Sequence, residues 1–269
     1  PMAVENINIA LDGADGSGPL SLSGSVDYQK QPVKFSLGVK EMKALLAGKT
    51  AGVLAALTLP SGEVSFNGEM STQNGPEAKG KFSFNSDNLG SLMAWATDTK
   101  PAGNLPKKVS VQFNLALKDA QNLALNDLNF SADSLSGAGQ LALKLGGAVP
   151  AVNGELKLGV VNLNELTGKA AAAPQAEAGK AAPATNSAGW SDAPLNVAGL
   201  RAVNANLKLA IEKLISGKLE FTNISTDIAL SGGNANINLS NLSLYDGTAK
   251  GTVGLDGSGA SAGPFAALL

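Results

Sequence analysis

The sequence predicts a mainly β protein, built as a long, curved antiparallel meander sheet with one apolar, concave face that forms a groove. Three observations support this fold class. Hydrophobic residues make up 44% of the chain, aromatic residues only 4%, and there are 32 glycines. Apolar and polar residues alternate in many short segments, which is typical of half-buried strands. Turn sequences such as "SGG" from Ser231 separate these segments at short spacing, which favours a meander over βαβ units.

The predicted strands follow one another along the chain, each with an apolar residue at every second position. They cover residues 7–11, 20–26, 33–39, 64–66, 82–84, 109–117, 141–145, 156–160, 203–211, 228–230 and the hairpin 237–255. Because side chains of a strand point alternately to its two sides, each of these segments has one apolar and one polar face.

Two segments have a different period and predict short amphipathic helices. In residues 40–49 ("KEMKALLAGK") and 86–98 ("SDNLGSLMAWATD"), the apolar residues recur at three- and four-residue spacing. Ser86 and Asp87 are candidate N-caps for the second helix, since both side chains can accept a backbone hydrogen bond. We expect helices near 40–48 and 87–97, docked at strand ends.

An Ala/Pro-rich tract interrupts the strands between residues 169 and 189. It has no hydrophobic period and too few large apolar residues to bury a core, so it predicts a flexible linker or a long loop. The sequence thereby divides into a β-rich groove segment, residues 1–168, which contains both helices, and a C-terminal β segment, residues 190–269.

Two strands share an unusual break in their alternation. In "LALNDLNF" (123–130) and "INLSNLSL" (237–244), the apolar residues skip one place and then resume. One extra residue in an alternating strand is the sequence pattern of a β-bulge, which bends and twists a sheet. The two segments therefore indicate a repeated bulged hairpin, with chance similarity among Leu- and Asn-rich strands as the alternative.

The composition argues against several functional classes. The chain has no histidine and no cysteine, so it lacks the commonest general base, the commonest metal ligand and all thiol chemistry. None of the common catalytic motifs is present, and we expect neither enzymatic activity nor a cofactor or metal. A net charge of −2 with a single arginine, Arg201, argues against nucleic acid as a partner.

The apolar faces of the predicted strands form the candidate functional surface. A sheet must bury its apolar face against a second sheet, against helices or against a ligand, and only two short helices are predicted. For a continuous aliphatic lining, the natural ligand is an acyl chain, which needs no directional contacts. The candidate groove residues are Phe35, Leu37, Val111, Phe113, Leu115, Leu207, Leu209, Ile237, Leu239, Leu242 and Leu244.

The C-terminal third resembles the AsmA family of Gram-negative bacteria. The similar features are "WSD" at 190–192, "LRAVNANLKL" from 200, "GKLEF" from 217 and "SLYDGTAKG" at 243–251. In the family this last turn usually has Tyr followed by two glycines, and Asp246 replaces the first of them here. The segment 154–166 and the Ala/Pro-rich tract also match the family's layout. Residues 1–150 resemble the family only in their general composition, in which aliphatic residues are interleaved with small and polar ones.

The resemblance implies a periplasmic protein that supports outer-membrane homeostasis, anchored in the inner membrane by an N-terminal helix. It also implies similarity to bridge-like lipid transfer proteins, whose long curved sheets carry phospholipid in an apolar groove. No stretch of this sequence has the length and hydrophobicity of such an anchor, and it begins with Pro1, so we expect it to be a piece of a longer protein.

Two hypotheses follow for function. The first is a lipid-binding and lipid-transfer segment whose partners are phospholipid acyl chains and, through the anchor, the inner membrane; protein partners are not predictable from the sequence. The second is a closed β-sandwich, acting as a scaffold or surface interaction module with no ligand. A glycan-binding β protein is a weaker third, because the polar faces have almost no aromatic side chains.

Overall fold

In a computed structural model, which describes residues 4–13, 18–101, 105–166, 198–257 and 264–268, the chain forms one open sheet. Fifteen strands lie side by side in the order in which they occur in the chain. They are β1 Val4–Asp12, β2 Leu20–Tyr28, β3 Gln31–Val39, β4 Ala51–Leu59, β5 Gly62–Ser71, β6 Glu77–Ser86, β7 Val109–Asp119, β8 Asn122–Ala132, β9 Leu135–Lys144, β10 Ala151–Asn162, β11 Asn204–Ser216, β12 Leu219–Ser231, β13 Asn234–Leu244, β14 Gly247–Asp256 and β15 Pro264–Leu268. The predicted mainly β class is confirmed.

Neighbouring strands are antiparallel except for one pair. Strands β10 and β11 run parallel, in register from Ala151 opposite Asn204 to Asn162 opposite Ile215. A parallel pair needs a long connection, and the chain between these two strands provides one. The strands before and after the Ala/Pro-rich tract therefore belong to the same sheet. The tract itself lies outside the described residues.

Both predicted helices are present at strand ends. Helix α1 covers Met42–Leu46 and helix α2 covers Leu89–Thr97, and a single turn, α3, covers Leu163–Leu166. A short 3₁₀ helix covers Ala198–Arg201. These are the helices within the described residues.

The predicted caps of α2 are wrong. The N-cap is Asn88, whose side-chain oxygen accepts a hydrogen bond from the backbone N–H of Ser91 at 3.0 Å. Ser86 is instead the last residue of β6, buried, and its hydroxyl donates to the carbonyl oxygen of Ser61 at 2.6 Å. The helix therefore begins at Leu89, two residues later than a Ser86 cap would start it and one later than an Asp87 cap would.

Both predicted bulges are confirmed. The pairing of β8 with β9 shifts between Leu125 and Leu128, and that of β13 with β14 shifts between Leu239 and Leu242. A third shift, in β1 between Glu5 and Asn8, has the same form. Bulges bend the strands that contain them, so these three strands depart from a flat ribbon.

Candidate functional site

The strand register shows which side chains share a face of the sheet. Residues directly opposite each other on neighbouring strands point to the same side. Phe35 lies opposite Leu57, Leu57 opposite Val64, and Val64 opposite Phe84. Phe84 in turn lies opposite Val111. One continuous face therefore carries the apolar phase of β3 through β7, and we call it the apolar face.

The apolar face continues through the second half of the sheet. Leu115 lies opposite Leu125, Leu125 opposite Leu141, and Leu141 opposite Gly154. Gly154 pairs with Leu207 across the parallel junction. Leu207 then lies opposite Ile228, and Ile228 opposite Ile237. The groove candidates of both halves thus lie on the same face.

The bulge in β13 keeps its four apolar residues on this face. Leu239 pairs with Gly251 and Leu242 with Ala249, and Gly251 and Ala249 are two residues apart on the regular strand β14. Two residues apart means the same side of a strand. Leu242 therefore shares the apolar face with Leu239, and the extra residue absorbs the break in alternation.

The candidate residues are accessible rather than sealed. Ten of the eleven candidates are half-buried, and Leu37 is more exposed still, at 38%. No large side chain among the described residues is fully buried, and the buried hydrophobic residues are few and mostly small. The fifteen strands form one sheet, so the described part of the chain has no second sheet to cover this face.

Phe35 and Phe113 were among the candidates, but four other phenylalanines of the apolar face, Phe66, Phe82, Phe84 and Phe130, were missed. The rings of Phe82 and Phe113 stack with centroids 4.8 Å apart and an angle of 21° between their planes. Phe66 lies opposite Phe82, and Phe130 lies opposite Val111. Each missed phenylalanine occupies an apolar position of its strand's two-residue alternation, so that alternation was the signal that could have identified it.

Glycines make room for several of these rings. A Cβ atom at Gly24 would lie 2.7 Å from the ring of Phe35, one at Gly68 would lie 2.7 Å from the ring of Phe66, and one at Gly137 would lie 2.6 Å from the ring of Phe130. Real Cβ atoms do not approach so closely. The tips of these rings therefore lie over glycines of the same face.

The backbone is also drawn together on the apolar face. At Gly68, Gly80, Gly139 and Gly154, which point to this face, a Cβ would collide with a carbonyl oxygen of the neighbouring strand. At Gly38, which points to the opposite face, the nearest carbonyl oxygen would be 4.0 Å away. Glycines at close backbone approaches mark tight bends in sheets. A sheet curved toward its apolar side would produce such close approaches, and the predicted curvature itself stays a prediction.

The opposite face is polar and satisfied by local contacts. The hydroxyls of Ser65 and Ser83 lie 2.7 Å apart, and Ser110 donates to the side-chain oxygen of Asn85 at 2.7 Å. Lys79 forms an exposed ion pair with Glu69 at 3.0 Å. Exposed pairs of this kind contribute little to stability, but they keep this face hydrated.

Two carboxylates in hairpin turns have lowered pKa values. The backbone N–H groups of Lys108 and Lys107 donate to Asp133, at 2.9 and 3.0 Å, and hold the pKa of Asp133 below its usual value. A side-chain hydrogen bond from Asn122 and a backbone N–H of Gln121 lower the pKa of Asp119 in the same way. Hydrogen bonds to the charged form have this effect because they stabilise it. Both groups stabilise turns.

The described residues contain neither a cluster of metal ligands nor a membrane-spanning helix. No three acidic side chains there are grouped as ligands of a metal ion. None of the described helices has the length and hydrophobicity that crossing a bilayer requires.

Comparisons with known proteins identify the family. The model of the AsmA family matches residues 50–264, so the match extends well upstream of the C-terminal third in which the resemblance is clear by inspection. No curated protein and no solved structure matches the chain with significant similarity. The family is associated with the bacterial envelope. Because its model covers most of the sequence, the chain belongs to the AsmA family.

Proposed function

We propose that this chain is a non-catalytic lipid-binding and lipid-transfer segment of the bacterial periplasm, held at the inner membrane in the full-length protein. In this proposal, acyl chains of phospholipids lie against the apolar face. One observation carries it: the groove candidates from Phe35 to Leu244 share one face of an open sheet, and none of them is buried. An apolar surface of this extent in water indicates a binding surface.

The energetics of such binding need no specific contacts. Burying each methylene group is worth roughly 0.8 kcal/mol, so ten methylenes against the face contribute about 8 kcal/mol before entropy costs. A lining of Leu, Val, Ile and Phe side chains provides this gain at any position along the face. A chain can therefore slide between neighbouring positions of similar energy, as transfer requires.

The scaffold hypothesis has less support. A closed sandwich needs two sheets whose inner faces seal each other about 10 Å apart. In the described residues every strand belongs to one sheet, and β1 and β15 each pair with a single neighbour. Residues such as Leu37 at 38% exposure would be buried in a sealed core.

Membership in an envelope-associated family supports the proposed location and an outer-membrane role. The absence of enzymatic activity is also part of the proposal, because acyl-chain binding uses only apolar contact.

The test is native mass spectrometry of the purified chain, followed by organic extraction and identification of the lipids. We expect phospholipid to be retained at close to stoichiometric amounts, or to be taken up from added liposomes. A clean mass of the protein alone, with no uptake from liposomes, would overturn the proposal and favour the scaffold.

A matched pair of variants separates the two faces. Phe113→Asp places a carboxylate on the apolar face, and Gln112→Asp places one on the exposed polar face of the same strand. We expect Phe113→Asp to lose most bound lipid while its circular dichroism stays that of a β sheet, because a charge within an acyl-chain layer is strongly unfavourable. Gln112→Asp should bind as the unmodified chain does. If Phe113→Asp unfolds, the same comparison is made with Leu239→Asp and Asn238→Asp.

A further inference from the structure

Strand β1 lies at an edge of the sheet and pairs with β2 alone. Every one of its nine residues is exposed, which is true of no other strand whose side chains are described. Its aliphatic side chains Ile7, Ile9 and Leu11 are 63%, 62% and 69% exposed. These values are well above those of the half-buried groove candidates on the inner strands.

The aliphatic side chains of β1 belong to the apolar face. Ile9 lies opposite Gly24, and Gly24 lies opposite Phe35. Ile7 and Leu11 are each two residues from Ile9, so they point to the same side of the strand. The apolar face therefore extends to the edge of the sheet, and its last row of side chains is in water.

The outer backbone groups of β1 are available as well. The carbonyl oxygen of Asn8 points toward β2, close to where a Cβ of Gly24 would lie. The N–H and C=O of one strand residue point to the same neighbour, and those of the next residue point the other way. The backbone groups of Ile9 and Leu11 therefore point outward, where the described residues place no strand.

Strand β1 has few of the features that prevent edge strands from pairing. Such strands are usually short or contain proline, lysine or a bulge. Strand β15, at the other edge, has five residues and begins with Pro264. Strand β1 is nine residues long and has neither proline nor lysine. Its bulge, at Asn6 with a φ of 51°, lies toward one end and leaves residues 7–11 as an extended segment.

This segment is complementary to itself when two copies run antiparallel with Ile9 at the centre. Ile9 then lies opposite Ile9 of the second copy and Ile7 opposite Leu11, so all three aliphatic side chains meet on one face. On the other face, Asn8 comes opposite Ala10, and no two carboxylates face each other. Centring the pair on Asn8 would instead place the charged Glu5 opposite Leu11.

We propose that β1 pairs edge to edge with β1 of a second copy of this chain, about a two-fold axis at Ile9. An axis perpendicular to the sheet reverses the strand direction and keeps the apolar faces on the same side. The two faces thereby become one continuous apolar surface. The pairing rests on the edge of β1 alone; combined with the lipid-binding function proposed above, it would let acyl chains pass from one copy to the other.

The first test is the mass of the purified chain by sedimentation velocity, without lipid. One strand against another buries less surface than the roughly 1,200 to 2,000 Å² of a stable interface, so we expect a reversible dimer that forms between about 1 and 100 μM. A monomer throughout this range, or a mass that keeps growing beyond the dimer, would overturn the inference. Neither result would affect lipid retention, which tests the proposed function separately.

Charge variants at Ile9 test the register. Ile9→Asp and Ile9→Lys each place two like charges opposite each other across the two-fold axis, which is unfavourable. We expect each variant alone to be monomeric and their mixture to form dimers, because the opposite charges then face each other. Asn8→Asp, whose side chain points to the other face opposite Ala10, is the control and should dimerise as the unmodified chain does. Dimers of Ile9→Asp alone would show that copies associate elsewhere and would overturn the inference.

Cross-linking tests the distance across the axis, since the chain has no cysteine of its own. Directly opposite residues of a hydrogen-bonded antiparallel pair have Cα atoms about 5.5 Å apart, within the range of about 4.4 to 6.8 Å that a disulfide spans. We expect Ile9→Cys to form a disulfide-linked dimer with oxidised glutathione. Two copies of Asn8→Cys lie diagonally, about 7 to 8 Å apart, and should cross-link far less. Equal cross-linking of the two variants would contradict the register centred on Ile9.

Discussion

The two parts of the sheet on either side of the parallel pair β10–β11 line the same face with different residues. Six of the eight phenylalanines of the chain lie in β3 to β8, and all six are on the apolar face. In β11 to β14 the lining is mainly Leu and Ile, with Phe221 as the one phenylalanine. The first part is aromatic and the second is aliphatic.

The difference shows two ways of shaping an apolar face. In the first part, rings lie over glycines, and glycines bring neighbouring backbones together on the apolar side. In the second part, the pairing of β12 with β13 shifts near Asn223, and that of β13 with β14 shifts after Leu239. Bulges bend strands in both parts, in β1 and β8 of the first and in β13 of the second, and the first part adds the close approaches at glycines to them.

The largest expected effect comes from filling one of these glycine positions. A Cβ at Gly139 would collide with the carbonyl oxygen of Glu155 and lie 3.0 Å from the Cα of Leu156, so the backbone has to move. We expect Gly139→Ala to lower the free energy of unfolding by about 3 kcal/mol. Urea denaturation followed by circular dichroism measures this.

The matched control for this variant is Gly38→Ala, on the polar face. The nearest atom to its Cβ would be the Cβ of Leu54 at 3.8 Å, which is ordinary contact. We expect a change within about 1 kcal/mol, with stabilisation favoured because alanine restricts the unfolded chain. Equal losses at Gly139 and Gly38 would show that the faces do not differ in backbone approach.

The sequence predicted those parts of the fold that depend on which face a side chain occupies, and missed those that do not. Period-two alternation depends only on which face a side chain occupies, so it predicted the strands, the apolar face and the bulges at 125–128 and 239–242. Strand β4 was missed because "AGVLAALTL" has apolar residues in both phases and shows no alternation. The parallel pair was missed because strand direction depends on the path of the Ala/Pro-rich connection, which has no local pattern.

The sequence predicted which residues share the apolar face, but not which of them contact each other across the strands. Each groove candidate lies on the apolar face, yet the stacked pair Phe82–Phe113 depends on which residues face each other across β6 and β7. Register of this kind is set by hairpin geometry and not by composition. The buried cluster of Val39, Ala51 and Val53 likewise depends on where α1 docks, and a helical pattern alone does not specify the docking site.

An intermediate effect is expected at the bulge of the aliphatic part. Asn223 has a φ of 51°, in the left-handed region that asparagine tolerates and β-branched residues do not. Its carbonyl oxygen accepts a hydrogen bond from the side chain of Asn241 at 2.6 Å. We expect Asn223→Val to lower the free energy of unfolding by about 1 to 2 kcal/mol, the cost of left-handed backbone for such a residue.

Asn223→Gly is the matched control, because glycine adopts this backbone conformation without strain and keeps the carbonyl oxygen. It should unfold at nearly the same urea concentration as the unmodified chain. A loss in Asn223→Gly as large as that in Asn223→Val would show that the asparagine side chain, and not the left-handed backbone, stabilises the bulge.

The smallest effect is expected at Asp133, in the turn between β8 and β9 of the aromatic part, and it depends on pH. The N–H groups of Lys107 and Lys108 stabilise the ionised carboxylate, so its pKa is lower in the folded chain than in the unfolded chain. A lowered carboxylate pKa contributes stability above the unfolded value of about 3.9, and this contribution is lost as the pH falls through the folded value.

Asp133→Asn removes the charge at every pH. We therefore expect the variant to be less stable than the unmodified chain at pH 7 and the difference to shrink by pH 3, as measured by urea denaturation at both pH values. A difference that is the same at both would mean that the shape of the side chain, and not its charge, connects this turn to the start of β7.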